Sequence, residues 1–176
     1  MKIPFLLPVA IALALLGIES HAFSPAGKVV GEGYPHILKT ESYTLNTRNV
    51  KALKSQGKYL WLGTSMGAIR YDTTTPEAYQ VFDNSNGLLS NGIFNIIFDK
   101  KGAPWLGTYG GGLSHWENKR WVNYNTPNGL CDAFVYDVEF AGDTLWIATW
   151  SGVNRVKGNP HLRKSWESFT TANTNG

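Results

Sequence analysis

The sequence predicts an all-β fold made of four-stranded antiparallel β-propeller blades. The first observation is a Trp-(Leu/Ile)-(Gly/Ala)-Thr segment that recurs at residues 61–64, 105–108 and 146–149. The second is the composition: 19 glycines and 13% aromatic residues are typical of many short strands joined by tight turns. Helical periodicity is absent beyond the first residues of the chain, and 43% hydrophobic residues suffice for a packed core.

Two further sequence motifs recur, at positions offset from the tryptophan segment. Asn-Gly-Leu occurs at residues 86–88 and again at 128–130, 42 residues later, and Asn-Gly at 175–176 looks like the start of a third copy. A pair of apolar residues spaced three apart lies 11 or 12 residues before each tryptophan, beginning at Val50, Ile93 and Val135. Three marks in one fixed order indicate a structural repeat of about 42 residues.

The middle repeat shows how each unit divides into strands. Its apolar segments are separated by turns that contain Gly102 and the run of glycines at 110–112. We therefore expect strands at residues 93–99, 103–108, 113–117 and 120–124. Extended to the whole chain, the pattern places blade 1 at 46–84, blade 2 at 85–126, and blade 3 with the start of a truncated next repeat at 127–176.

The segment before the repeats has two predicted parts. Lys2, an apolar run over residues 3–17 and the small residues near Ala22 form the pattern of a cleaved secretory signal peptide at 1–22. An uncleaved membrane anchor is the alternative, although the run is short for a membrane span. Residues 23–45 are expected to supply an outer strand of a partial blade. The chain is therefore predicted to be exported, most simply to a bacterial periplasm.

Most of the repeat signature is predicted to be scaffold. A tryptophan on the second strand is large enough to fill the wedge between adjacent blades. The small residue two positions later lies on the same side of the strand and lets a neighbouring sheet approach. The residues assigned to this structural role are Trp61, Gly63, Thr64, Trp105, Gly107, Thr108, Trp146 and Thr149.

At these positions the sequence resembles the two-component regulator propeller repeat. Residues 86–113 follow the family pattern of Asp-Gly-Leu, Ser-Asn, a later Asp and Gly (here Asp99 and Gly102), the tryptophan segment and Gly-Gly-Leu, except that Asn replaces the first Asp in both complete copies. The third copy departs from it, with Cys131-Asp132 at the expected Ser-Asn and Ala148 at the glycine. The resemblance covers roughly residues 45–176. It implies a periplasmic sensor segment of a hybrid two-component system, of which many are thought to sense oligosaccharides.

No catalytic, metal or cofactor site is predicted. The histidines share no metal-ligand spacing, and no acidic residues form an evident acid and base pair. Cys131 is the single cysteine, so an internal disulfide is excluded. The net charge of +3 comes from scattered basic residues, which argues against nucleic acid as a partner.

Candidate ligand-binding residues come from the loop after each Trp-x-x-Thr segment. Tyr109 and Trp150 hold equivalent positions there, and an aromatic face with a polar edge suits stacking on a sugar ring. The alternative is that both rings pack against the next blade. Arg70 and Arg155 are candidates for donating hydrogen bonds to hydroxyls or carboxylates, and are equally plausible as charges on the strand surface.

Three functions remain open from the sequence. The first is a truncated, non-catalytic sensor segment that binds a carbohydrate or other small ligand and signals through a partner outside this chain. The second is an exported interaction scaffold, because closed propellers have four or more blades and three would need further blades or self-association. The third and weakest is a propeller hydrolase or lyase.

Overall fold

The computed structural model describes residues 49–75 and 78–174, all of which belong to the unit that spans Leu45–Gly176. The predicted signal peptide at 1–22, the N-terminal segment at 23–45 and the repeat start at 175–176 lie outside the described residues. Among the residues that are described, no helix is long and apolar enough to cross a membrane.

Twelve strands form three four-stranded antiparallel sheets in the described part of the chain, each with its strands hydrogen-bonded in chain order. The first sheet holds β1 (Ala52–Gln56), β2 (Tyr59–Thr64), β3 (Gly67–Asp72) and β4 (Tyr79–Phe82). The second holds β5 (Ile93–Phe98), β6 (Pro104–Thr108), β7 (Leu113–Glu117) and β8 (Arg120–Tyr124). The third holds β9 (Val135–Ala141), β10 (Thr144–Thr149), β11 (Gly152–Lys157) and β12 (Trp166–Phe169).

These sheets confirm the predicted all-β fold of four-stranded blades. In the middle sheet, each observed strand differs from its predicted bounds by no more than one residue at either end. The remaining regular structure of the described residues is short: three 3-10 turns, and one helical turn at Thr171–Thr174. The domain bounds assigned to the three blades remain a prediction.

The threonine that ends each Trp-x-x-Thr segment closes the turn after the second strand. The hydroxyls of Thr64, Thr108 and Thr149 each donate a hydrogen bond of 2.7–2.8 Å to the carbonyl of a glycine across that turn. Thr64 and Thr108 are fully buried, so these hydroxyls need a protein partner. The glycine carbonyl supplies it without adding a side chain to the turn.

The Asn-Gly-Leu segment shapes the link from one sheet to the next. In the second link, the Asn128 side chain accepts a hydrogen bond of 2.8 Å from the backbone N–H of Asn125, which caps a short 3-10 turn. Gly129 then takes a φ of 118°, and Leu130 is buried at 3% exposure. Asn86, Gly87 and Leu88 repeat this arrangement, so the motif reverses the chain and fixes one leucine in the core.

Two of the three buried clusters in the described residues lie between successive sheets, and the third, Leu62 with Ile69 and Tyr71, belongs to the first sheet alone. Trp61 is 2% exposed and meets Phe98 of the next sheet, with ring centroids 5.8 Å apart. Trp105 is 4% exposed and meets Phe140 of the third sheet at 6.1 Å. Each tryptophan therefore belongs to a cluster that joins its own sheet to the following one.

The small residue after each tryptophan marks the closest approach of two sheets. A Cβ built on Gly63 would lie 2.9 Å from the Ile93 side chain and 3.1 Å from its carbonyl oxygen. A Cβ on Gly107 would lie 2.9 Å from the Val135 side chain and 3.1 Å from its carbonyl oxygen. Glycine thus lets the first strand of the next sheet pack directly on the second strand of the preceding sheet.

The third tryptophan has a different environment. Trp146 is only half-buried, and its ring stacks on Phe169 of the same sheet at 5.9 Å. Arg155 lies over both rings, and Val153 on the same face is 38% exposed. We call this surface, made of Trp146, Ala148, Val153, Arg155 and Phe169, the third tryptophan face. No further sheet among the described residues covers it.

Candidate functional site

The loops after the second strands and the links between sheets meet at one end of the structure. Tyr109 donates a backbone hydrogen bond of 2.8 Å to the carbonyl of Gly92, and forms an antiparallel bridge with Phe134. The backbone N–H of Trp150 donates to the carbonyl of Phe134 at 3.0 Å. The two predicted stacking residues are therefore brought to opposite sides of one segment, the link between the second and third sheets.

A cleft of about 270 Å³ opens between these loops, lined by Tyr109, Asp132, Phe134, Tyr136 and Trp150. Four of the five lining side chains are aromatic. We call this the aromatic cleft. A larger hollow of about 720 Å³ lies beside it over residues 148–153 and 169–174, and Trp150 borders both.

The rings of the aromatic cleft hold one another in place. Tyr109 and Phe134 meet edge to face, with centroids 4.6 Å apart and an interplanar angle of 82°. Phe94 contacts both Tyr109 and Tyr136 at 5.5 Å, and Tyr136 lies 6.3 Å from Trp150. Such edge-to-face pairs stabilise by about 0.5–1.5 kcal/mol beyond their buried area. These contacts hold Tyr109, Phe134 and Tyr136 in place, and Trp150 joins the group only through Tyr136.

The rings nevertheless remain open to solvent. Trp150 is 74% exposed, Tyr109 55% and Tyr136 39%. Part of the Tyr109 ring packs against Phe94 of its own sheet and Phe134 of the link, while the rest of the ring faces solvent. Large aromatic side chains rarely stay this exposed beside one another without a partner. The exposed part of each ring is thus free to stack on a ligand.

Asp132 contributes the charge at the aromatic cleft. One carboxylate oxygen accepts a hydrogen bond of 2.9 Å from the backbone N–H of Phe134, and the other accepts one of 2.7 Å from the Ser151 hydroxyl. Within the described residues, no Lys, Arg or His lies at ion-pair distance from it. The carboxylate is therefore held in position with lone pairs left to accept from a ligand.

Comparison with the preceding repeat shows which residues of the aromatic cleft differ from their equivalents there. Ile93 pairs with Thr108 as Val135 pairs with Thr149, so Asp132 corresponds to Ser90 and Phe134 to Gly92. The sequence analysis aligns Cys131-Asp132 with the Ser-Asn pair of the repeat, and the strand register shifts this match by one residue, to Asp132-Ala133. Asp132, Phe134 and Tyr136 were missed as site residues. Asp132 and Phe134 differ from Ser90 and Gly92, and that difference was a signal in the sequence; Tyr136 corresponds to the aromatic Phe94 and gave no such signal.

The two candidate arginines lie elsewhere. The Arg70 guanidinium sits over Tyr59 at 4.7 Å and Trp61 at 5.8 Å, and donates a hydrogen bond to Gln80. Arg155 lies over Trp146 at 5.7 Å and pairs with a glutamate of β12. Neither arginine lines the aromatic cleft. The structure brings Tyr109 and Trp150 together and leaves both arginines on the sheet faces.

The strongest electrostatic perturbations belong to the scaffold. Lys58 and Thr74 hold the pKa of Asp72 at about 2. Burial raises the pKa of Tyr124 to about 12, and burial lowers the pKa of His115 against the opposing effect of Asp99. None of these groups lines the aromatic cleft.

One catalytic pattern is present in sequence but not in structure. Residues 63–67 match G-x-S-x-G, the pattern with which α/β-hydrolases place a serine between a strand and a helix. Here Ser65 lies in the turn between two strands, and no described histidine is hydrogen-bonded to it. Across the described ranges, no group of three or more His, Cys, Asp or Glu side chains is placed to hold a metal ion.

Comparison with known proteins gives a structural likeness without a sequence match. No family model matches the sequence, and no curated protein does. The extracellular domain assigned to one hybrid two-component system of B. thetaiotaomicron is similar over 70% of this chain, at 24% identity and a TM-score of 0.60. A second such domain from B. thetaiotaomicron is similar over 74%, at 22% identity and a TM-score of 0.60.

The chain spans 17% and 18% of the lengths of those two domains. The computationally designed Ika4 protein is also similar, over 75% of this chain and 78% of its own length, at 10% identity and a TM-score of 0.52. At such identities the likeness establishes the fold. Membership of the two-component regulator propeller family therefore stays a prediction from the repeat.

Proposed function

We propose that the chain is an exported, non-catalytic β-propeller segment that senses a ligand for a signalling system, and that an oligosaccharide binds in its aromatic cleft. The observation that carries this proposal is the group of pre-positioned yet exposed rings at Tyr109, Tyr136 and Trp150 beside Asp132. The extracellular sensor context named for the two B. thetaiotaomicron domains supports export and signalling. The signal peptide and the signalling partner are part of the same proposal.

The chemistry of a sugar fits the two kinds of surface in the aromatic cleft. The C–H face of a pyranose ring stacks on an aromatic ring, and its hydroxyls donate to a fixed acceptor. Trp150 offers the most exposed face, and the Asp132 carboxylate retains lone pairs after its two protein hydrogen bonds. Because the rings are already ordered, binding costs little conformational entropy.

A glycan panel titrated against the full chain tests the proposal, with tryptophan fluorescence and calorimetry as readouts. We expect saturable binding that changes the emission of Trp150 and is weakened at least tenfold by Trp150→Ala. Tyr109→Ala should weaken binding as well, whereas Tyr79→Ala should not. Tyr79 is a matched control, since it is 54% exposed and lies outside the aromatic cleft. Absence of binding to every glycan would overturn the proposal.

The third tryptophan face favours a second function, an interaction scaffold. Its residues Trp146, Arg155 and Phe169 reproduce the stacking of Trp61, Arg70 and Phe82 in the first sheet. In the first sheet that cluster is buried by the second sheet, whereas Trp146 is half-buried and Val153 is 38% exposed. Further blades or a second copy of this chain would fit the uncovered surface.

Sedimentation equilibrium over a wide range of protein concentration tests the scaffold function. Self-association that Trp146→Glu abolishes would support it, because a charge on this face opposes burial against another sheet. A monomer at all concentrations would count against self-association. Tyr79→Glu, which places the same charge outside this face, serves as the control.

A further inference from the structure

We infer that the aromatic cleft selects a ligand that carries a positive charge, of which the protonated amine of an amino sugar within an oligosaccharide is the form we commit to. This inference rests on the proposed function and names the class of ligand for the same cleft. Three observations support it. No described cation pairs with the Asp132 carboxylate, no described Lys or Arg lies over the rings of the cleft, and the preceding repeat has neither Asp132 nor Phe134 at the equivalent positions.

The carboxylate of Asp132 is anchored but not neutralised. Both protein hydrogen bonds to it come from uncharged donors, the Phe134 backbone N–H and the Ser151 hydroxyl. The ion pairs of the described residues lie elsewhere, as in Lys58 with Asp72. A half-buried carboxylate attracts a cation more strongly than an exposed one, because solvent screens the interaction less.

The rings of the cleft lack the cations that cover aromatic rings elsewhere in this protein. Arg70 lies over Trp61, and Arg155 lies over Trp146, with guanidinium carbons within 6 Å of the ring centroids. Lys51 lies 4.3 Å from the centroid of Phe94, a neighbour that does not line the cleft. No described Lys or Arg lies over the four rings that line it. Those faces are therefore open to a cation supplied by the ligand.

The repeat shows that neither the charge nor the added ring is needed for folding. At the equivalent position in the preceding link, Ser90 donates a hydrogen bond of 2.6 Å to the carbonyl of Tyr109, and Gly92 leaves room for the Tyr109 side chain. Ser90 also accepts a hydrogen bond of 3.3 Å from the Gly92 N–H, and Asp132 accepts the matching one from Phe134. The turn is therefore shared, while Asp132 adds a negative charge and Phe134 adds an aromatic ring. Both changes fall in the one link where the aromatic cleft opens, so they alter recognition and not the backbone.

The arrangement also specifies what the cleft rejects. A uronic acid would bring its carboxylate against Asp132, and the repulsion between like charges would oppose binding. A neutral sugar would keep the stacking but gain no ion pair. The whole chain carries a net charge of +3, so its overall electrostatic field repels cationic ligands. A preference for them must therefore come from the local site.

Three β-1,4-linked hexasaccharides that differ only at C2 provide the test, titrated calorimetrically into the full chain: the glucosamine hexamer, its fully N-acetylated form and cellohexaose. We expect the glucosamine hexamer to bind about tenfold more tightly than the other two at low salt. The preference should shrink at high salt, and again at high pH as the amine loses its proton.

Variants separate this inference from the proposed function. Asp132→Asn should reduce the preference for the glucosamine hexamer to near unity, because it weakens the binding of that hexamer far more than the binding of cellohexaose, which loses only a hydrogen bond to the carboxylate. Glu139→Gln removes the same charge from an exposed position outside the cleft and should change nothing. Equal or tighter binding of the neutral hexamers would overturn the charge selectivity alone. Binding of none of the three, with no binding elsewhere in the glycan panel, would overturn both proposals.

Discussion

Single atoms decide how closely the sheets approach. At Gly107 the space for a Cβ is already filled by the Val135 side chain and carbonyl oxygen, at 2.9 and 3.1 Å. Backbone atoms cannot move aside as a flexible side chain can, so an added methyl group must push the two sheets apart. The third repeat carries Ala148 at the same position, on the face that no described sheet covers.

The substitution Gly107→Ala is therefore expected to destabilise the protein by about 1–3 kcal/mol, because it overpacks the contact between the second and third sheets. Chemical denaturation with urea, followed by tryptophan fluorescence, measures the change. The matched control is Ala148→Gly, for which only the strand propensity changes, by roughly 0.5–1 kcal/mol. A loss at Gly107 no larger than that of the control would contradict the close approach of these sheets.

A histidine with a largely buried side chain makes the stability of the fold depend on pH. The ring of His115 stacks on Trp105 with centroids 3.9 Å apart, and its Nε2 lies 3.4 Å from an Asp99 carboxylate oxygen, without the geometry of a hydrogen bond. Burial lowers the pKa of His115 from its ordinary value near 6.5, despite the opposing effects of Asp99 and Glu117. Within the window below 6.5, the unfolded chain therefore binds a proton that the folded chain does not.

Stability is expected to fall as the pH drops through that window, since protons then favour the unfolded state. His115→Gln should flatten this part of the profile of unfolding free energy against pH, even if it lowers stability overall. Urea unfolding at closely spaced pH values between about 7 and 5 measures both profiles. An unchanged slope in the variant would show that another group is responsible.

At the scale of elements, the links between sheets are short and built alike. Gly87 and Gly129 each follow a capped 3-10 turn, and both have a φ of 118°. Their surroundings differ, because a Cβ on Gly87 would lie 3.6 Å from Trp121, whereas one on Gly129 would lie 2.8 Å from Trp166. The two positions therefore share backbone strain and differ in the space available.

The pair Gly87→Ala and Gly129→Ala separates these two costs. Gly87→Ala should cost about 1–2 kcal/mol from the positive φ alone. Gly129→Ala should cost more, by roughly 1 kcal/mol or above, because its methyl group also displaces Trp166. Guanidinium denaturation midpoints of the two variants, measured together, give the comparison. Equal losses of stability would contradict the steric conflict at Gly129, because they would mean that Trp166 can shift to accommodate the added methyl group.

At the scale of the whole molecule, the burial of each repeat tryptophan depends on whether another sheet packs against its own sheet. Trp105 lies between two sheets at 4% exposure, whereas Trp146 is half-buried on the third tryptophan face. The two tryptophans hold the same position in the repeat, but we expect them to contribute unequally to the free energy of unfolding. The presence of a neighbouring sheet, and not the local sequence, determines how much each tryptophan stabilises the fold.

Trp105→Ala is accordingly expected to cost about 3–5 kcal/mol, and Trp146→Ala roughly half of that or less. Urea denaturation at low protein concentration measures both. If association covers the third tryptophan face, the cost of Trp146→Ala should rise with protein concentration while that of Trp105→Ala does not. Equal costs at every concentration would indicate that Trp146 is already covered.

The sequence by itself determined the fold class, the 42-residue repeat and, within one residue, the four strands of the middle sheet. These features are local: alternation along a strand, a threonine hydroxyl that closes its own turn, and glycines where the chain must reverse. It also singled out Tyr109 and Trp150 as candidates for binding. The arginines at 70 and 155 were proposed on side-chain type alone, and they lie on the sheet faces.

Only the tertiary structure decided which side chains share a site. Asp132, Phe134 and Tyr136 join Tyr109 and Trp150 because the link between two sheets threads between two loops about 40 residues apart in sequence. A local sequence pattern does not show which residues of distant loops come into contact. The exposure of Trp146 was likewise decided by packing, since burial depends on a neighbouring sheet and not on the strand that carries the residue.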